Sequence, residues 1–199
     1  MNKIVMVLML IISLFVVGLV GAQEEEKAEK EKSIINKDAG SVTAEGYTNS
    51  TYGIDLKLPQ DDGKWTVIKN DKLARVQTNG KVAELWNVGK DVRVVISIQE
   101  RGARLQLLAE ENAASLALSF RKLKVIQDKN YLRKGPHFVS YQELEAQDIA
   151  GGKYKVQNYI LMKKEDNKIK INFFIISPLN NYFQDRFYLA NIYKSLEIK

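Results

Sequence analysis

The sequence predicts an α+β domain, a twisted antiparallel β-sheet flanked by helices. Three observations carry the prediction. Apolar and polar residues alternate over several stretches, most cleanly where Val92, Val94, Ile96 and Ile98 interleave with Arg93, Ser97 and Gln99. Two longer alternating runs flank the turn Glu165-Asp166-Asn167: Tyr154, Val156, Ile160 and Met162 lead in, and Ile169, Ile171, Phe173 and Ile175 lead out. A hairpin of that kind makes its strands antiparallel, because parallel neighbours need a long crossover. Two segments, 105–123 and 182–193, switch to a spacing of three and four, giving amphipathic helices to cover the sheet.

The elements follow in order. Residues 1–22 hold one charge, Lys3, ahead of an apolar run from Ile4 to Ala22. Val20-Gly21-Ala22 precedes the polar Gln23-Glu24-Glu25-Glu26, and cleavage after Ala22 fits the small-residue rule of a signal peptide. An uncleaved N-terminal anchor stays open as the alternative. The 19 apolar-run residues exceed the usual ~7–15 of a signal core and approach the ~20 that span a bilayer. Under either reading Lys3 stays cytoplasmic and the rest is extracytoplasmic, periplasmic or secreted, with a membrane tether if the segment is uncut. Residues 23–49 carry seven acids and four lysines and read as a charged flexible linker. Residues 50–199 are then a single domain with 25 Lys/Arg against 17 Asp/Glu, a basic body within a chain of net charge +6. A domain of that size buries about 68–70% of its unfolded surface. It needs no staples, and with no cysteine it has no disulfides.

Within the domain, Ile54, Leu56 and Leu58 alternate with Asp55 and Lys57 over 52–59, and Pro59 stops the strand. Asp61-Asp62-Gly63 makes a turn and Trp65-Thr66-Val67-Ile68 a second strand. Short strands at 74–77 and 82–86 are joined through the hairpin signal Asn79-Gly80. The strand over 91–99 comes next, then the helix over 105–123 with Leu108, Leu116 and Phe120 inward. Strands at 124–127 and 138–146 precede the long hairpin. Pro178 ends it, the second helix repeats Tyr182, Phe183, Arg186, Phe187, Ala190 and Tyr193, and 196–198 closes as a strand or helix end. The expected core is Ile54, Leu56, Val94, Ile96, Ile98, Leu116, Phe120, Ile171, Phe173 and Phe187.

Tyr52-Gly53-Ile54-Asp55-Leu56-Lys57-Leu58-Pro59 followed by Trp65 resembles the opening of the PsbP-like domains. The hairpin, terminal helix and Ser195-Leu196-Glu197-Ile198 resemble their close. The resemblance runs over roughly 49–198. It implies a helix–sheet–helix sandwich and supplies no catalytic residues; Tyr52, Gly53, Pro59 and Trp65 read as fold determinants.

Chemistry-bearing patterns are few. With no cysteine there is no thiol nucleophile. A serine triad would need His137, the single histidine, placed in the turn Lys134-Gly135-Pro136-His137 with no Gly-x-Ser-x-Gly elbow. One histidine cannot make a zinc site, and the acidic turns lack the spacing of a calcium loop. No catalytic residue, metal or cofactor is assigned. Glu143 and Glu145, two apart on a strand, share a face and are the one basis for an alternative reading as a carboxylate-based hydrolase of cell-envelope material. The distributed feature is basic. Arg121, Lys122, Lys124, Lys129, Arg133 and Lys134 stand against Asp128 alone, and Lys163, Lys164, Lys168 and Lys170 surround the hairpin tip. Such a patch fits an acidic protein, a lipid headgroup or an anionic envelope polymer; outside the cytoplasm nucleic acid is not expected. The sequence therefore points to a non-enzymatic extracytoplasmic binding or accessory module.

Overall fold

The computed structural model describes residues 40–60, 63–68, 80–100 and 104–199. The signal or anchor segment, most of the linker, Asp61-Asp62, the strand expected at 74–77 and Asn79 lie outside the described residues. Gly40–Lys199 forms one compact unit.

The class is α+β, dominated by antiparallel strand. In chain order the elements are β1 (Ser41–Thr43), β2 (Gly46–Asn49), β3 (Ile54–Lys57), β4 (Trp65–Val67), β5 (Lys81–Asn87), β6 (Val92–Glu100), α1 (Leu105–Ser119), β7 (Lys122–Lys134), β8 (His137–Gln147), β9 (Lys153–Met162), β10 (Ile169–Pro178), α2 (Tyr182–Ser195) and β11 (Leu196–Ile198). Seven strands form one sheet in the order β4-β5-β6-β10-β9-β8-β7, and four form a second in the order β1-β2-β3-β11. All the pairings are antiparallel. β1 and β2 fall within 41–49, a stretch the charge pattern assigns to the linker. Tyr47 and Asn49 are buried there, so the folded unit starts well before residue 50.

Both faces of the large sheet are covered. On one, Val94, Ile96, Ile171 and Phe173 pack with Ile54 and Leu56 of β3 and Leu189 and Ile192 of α2. On the other, Leu116 and Phe120 meet Val95, Val156, Phe174 and Ile176, while Leu105, Leu108 and Ala109 meet Ile160. Those two apolar clusters are separated by a buried polar belt. Asn112 falls between Ala109 and Leu116 on α1, and Asn158 falls between Val156 and Ile160 on β9. Asn158 Nδ2 donates to Gln142 Oε1 at 3.3 Å, and Asn172 Nδ2 donates to Ser97 Oγ at 3.1 Å.

Three sequence expectations shift. α1 ends at Ser119 rather than 123, because the Arg121 amide donates to the Gln147 carbonyl at 2.7 Å and draws the chain into the sheet. β7 then runs to Lys134, far beyond the expected 124–127. Phe187 is 71% exposed, not core. α2 carries apolar residues on two stripes, and Leu189 and Ile192, not Phe187, face the sheet. The remaining expected core residues are buried.

The residues shared with the PsbP-like pattern work as fold determinants. Trp65 is buried, donates Nε1–H to the Pro59 carbonyl at 2.8 Å and stacks on Tyr188. Gly53 has φ +65°, and a Cβ there would stand 2.5 Å from the Lys199 carbonyl oxygen. The Lys199 amide in turn donates to the Gly53 carbonyl at 2.8 Å. Gly53→Ala is therefore expected to lower stability by at least about 1–2 kcal/mol, the left-handed cost alone, read from a urea melt. An unchanged midpoint would show that the chain end does not pack there.

Candidate functional site

The expected basic patch maps onto β7, the outer strand of the large sheet. Its register with β8 pairs Lys122 with Gln147, Lys124 with Glu145, Lys129 with Tyr141 and Lys134 with His137, with irregularities after Val125 and Lys129. These four lysines therefore share one face of the edge strand. Arg133 pairs with Phe138 and lies on the other, its guanidinium 4.5 Å from that ring. Arg121, Lys122, Lys124, Lys129 and Arg133 are exposed. Lys134 is engaged within the fold: Nζ donates to the Tyr193 carbonyl at 3.0 Å and the Lys194 carbonyl at 3.4 Å, and sits 4.4 Å over the Tyr193 ring. A cation at the last carbonyls of α2 stabilises that helix end. Burial pushes the Lys134 ammonium down from its ordinary value, against the pull of Glu197. Val125, Ile126 and Leu132 are also exposed on β7, so the strand presents an open edge of mixed apolar and cationic character. A shallow depression of about 240 Å³ opens at its start, lined by Lys122, Lys124, Lys153 and Glu145 among others.

Behind that edge, on the same face, stands a cluster the sequence showed only as the pair Glu143 and Glu145. Lys155 of β9 bridges both, with Nζ 2.9 Å from Glu143 Oε1 and 3.2 Å from Glu145 Oε1. The hydroxyls of Tyr141 and Tyr182 donate to Glu143 Oε2 at 2.9 and 3.1 Å. Tyr159 stacks on Tyr193 at 3.9 Å and tilts against Tyr141 at 4.8 Å. Burial, then the neighbouring carboxylate, pushes the Tyr182 hydroxyl up to about 12; burial raises Tyr193 to about 12 and lifts Tyr141 and Tyr159 too. Burial by itself raises the Glu143 carboxyl. The Lys155 ammonium and the Tyr141 hydroxyl outweigh it and hold the group below its ordinary value. A general acid needs the opposite shift. Two carboxylates spent on one ammonium make a fastening of α2 to the sheet, not an acid/base pair.

The other sequence candidates are structural as well. His137 opens β8 instead of sitting in a turn, and it is buried. Its Nδ1 accepts from the Lys164 amide at 3.3 Å, so the proton sits on Nε2, which donates to the Ile198 carbonyl at 3.2 Å. The ring thereby ties the two sheets together. At the hairpin tip Lys163 Nζ donates to the Tyr52 carbonyl at 3.0 Å. Lys170 is fully buried, its ammonium pushed down by that burial. Asp166 Oδ1 accepts from the Lys168 amide at 2.9 Å, which is turn chemistry.

No protein-family model and no curated protein matches this sequence. Solved structures do match it. The solution structure of cyanobacterial PsbP (CyanoP) from Synechocystis sp. PCC 6803 aligns with a TM-score of 0.59 at 10% identity, over 80% of this chain and 98% of that one. The crystal structure of LpqN, involved in cell envelope biogenesis of Mycobacterium tuberculosis, aligns with a TM-score of 0.50 at 10% identity, over 73% of this chain and 83% of that one. At such identity the likeness is one of fold, and it agrees with the residues at 52–65 and 195–198: the fold of this chain is PsbP-like.

Proposed function

We propose that the chain is a non-enzymatic extracytoplasmic accessory module that holds an acidic segment of a partner protein along the free edge of β7. The observation that carries this reading is the edge itself: an outer strand of Lys122–Lys134 with Lys122, Lys124 and Lys129 exposed on one face. An added strand gains main-chain hydrogen bonds from such an edge, and its alternate side chains meet one face. Acidic residues at every second position would meet the lysines, the first of them at the depression beside Lys153. The two irregularities and the lysines also guard the edge against self-pairing, which favours a charged partner over another copy. The module reading extends to the finer expectations: a leader at 1–22 that exports or tethers the chain, a spacer after it, and the helix–sheet–helix sandwich of the PsbP-like domains.

The hydrolase alternative draws no support from Glu143 and Glu145, since Lys155 holds both. The binding reading is tested with a synthetic peptide alternating Glu and Val. Hydrogen exchange should slow at β7 amides on peptide addition. Reversing Lys122, Lys124 and Lys129 to Glu should weaken binding about tenfold or more, as three surface attractions become repulsions. Slowed exchange elsewhere, or equal binding by the reversed variant, would remove this reading.

A further inference from the structure

The two ends of the large sheet differ in kind. One end gathers the β5–β6 turn at 88–91, the β8–β9 turn at 148–152, the connection at 179–181, the end of α1 and the start of β7. The register fixes this: Asn87 pairs with Val92, Ile176 with Arg93, Pro178 with Tyr154, Gln147 with Lys153 and Lys122 with Gln147. At this end two turns and one end of each helix expose large apolar side chains. Val88 is 51% exposed, Leu118 86%, Ile149 86% and Phe183 75%, with Phe187 one turn further along α2. These are five of the nine large hydrophobics exposed among the described residues, so the distribution is lopsided. The described turns at the other end, 135–136 and 163–168, expose Lys164, Glu165, Asp166, Asn167 and Lys168 instead.

The charge around the apolar tips is one-sided as well. Arg121, Lys122 and Lys153 are exposed there, and Arg186 lies 4.9 Å from the Phe187 ring. Among the described residues, the acids on the turns and helix start of this end are each engaged within the fold. Asp91 accepts from Trp86 Nε1 at 2.9 Å, Asp148 from the Gly152 amide at 2.8 Å, and Asp185 binds Lys90 at 2.8 Å.

We propose that this end of the sheet docks onto an anionic lipid surface, with Val88, Leu118, Ile149 and Phe183 entering the headgroup layer. Apolar tips carried on separate turns and helix ends suit an interface that deforms around each of them, whereas a protein partner buries a continuous apolar centre. The cations match anionic headgroups. The proposal stands apart from strand addition on β7, because the tips sit on turns and helix ends and need no partner strand.

The chain has no cysteine, so single cysteines report cleanly. Full-length Ile149→Cys, Phe183→Cys and, at the opposite end, Asp166→Cys each take a polarity-sensitive fluorophore. They are mixed with vesicles of phosphatidylcholine with or without phosphatidylglycerol. With the anionic vesicles the labels at 149 and 183 should shift to the blue and resist aqueous iodide, while the label at 166 stays quenchable. An uncut leader would bring all three labels near the bilayer alike, so the contrast between them does not depend on it. Adding Leu118→Ser and Ile149→Ser to the Phe183 reporter should cut partitioning about tenfold or more, the worth of withdrawing one or two buried apolar side chains. Equal quenching at 149 and 166 would overturn the proposal. So would equal protection on neutral vesicles, or protection that appears without vesicles as protein concentration rises, which would assign the tips to a second copy of the chain.

Discussion

Phe173→Ala should lose about 3–5 kcal/mol in a denaturant melt, a large share of the ~5–15 kcal/mol that holds a typical domain. Phe173 is fully buried in β10, the strand between β6 and β9 in the middle of the large sheet. Its ring tilts against Tyr159 at 6.3 Å and Tyr193 at 6.5 Å, so it joins the sheet to α2. Truncation opens a cavity at a junction whose walls are strands fixed by ladders on both sides, and such walls relax little. Phe187→Ala is the control. At 71% exposure it should cost less than about 0.5 kcal/mol. Equal losses for the two variants would mean that inside and outside are assigned wrongly.

Sequence periodicity groups these two phenylalanines together, and the reason it fails for one is physical. α2 bears Phe183 and Phe187 on one stripe and Leu189 and Ile192 on another, so a three-and-four spacing fits either face. Strands were more legible. β6 and β10 alternate cleanly because one face packs on α2 and the small sheet, whereas the alternating Tyr154, Val156 and Ile160 of β9 pack on the α1 side. Yet polar residues of β6 and β10 that alternation assigns to solvent are buried too: Ser97, Lys170 and Asn172 share the face of Val95, Phe174 and Ile176, which meet α1. Amino-acid polarity cannot reveal that a helix covers a hydrogen-bonding face. β7 was underestimated because an edge strand with cations on one face and solvent around it shows no apolar alternation. Its charge was legible as composition, but not the engagement of Lys134 at the end of α2, which arises 59 residues away. The Glu143, Glu145 and Lys155 cluster depends on strand register, set by the hairpin and invisible in spacing alone.

Lys155→Met should cost about 3 kcal/mol at neutral pH, the low end of the ~3–5 kcal/mol for breaking a fully buried pair, because Glu145 keeps contact with water. The Lys155 side chain is 7% exposed and Glu143 17%, against 41% for Glu145. Removing the ammonium leaves Glu143 with only the two tyrosine hydroxyls. The pH dependence follows from the direction of its shift. Its folded value lies below the ordinary 4.5, so the unfolded chain takes up the proton first as pH falls. The stabilisation is complete above that ordinary value and drains away as pH drops through the folded one. Urea melts from about pH 7 down to about pH 3 should therefore show a steeper acid loss for the wild type than for Glu143→Gln. Glu143→Gln with Lys155→Met should recover part of the single-variant loss, since no uncompensated carboxylate then stays at the Glu143 position. Were Glu143 a general acid instead, its carboxyl would have to sit above the ordinary value. The sign would then reverse: the charged group would weaken the fold at neutral pH, and Glu143→Gln would stabilise it. The same titration thus separates a fastening of α2 from a catalytic carboxylate, and a gain in stability for Glu143→Gln at pH 7 would reopen the hydrolase reading.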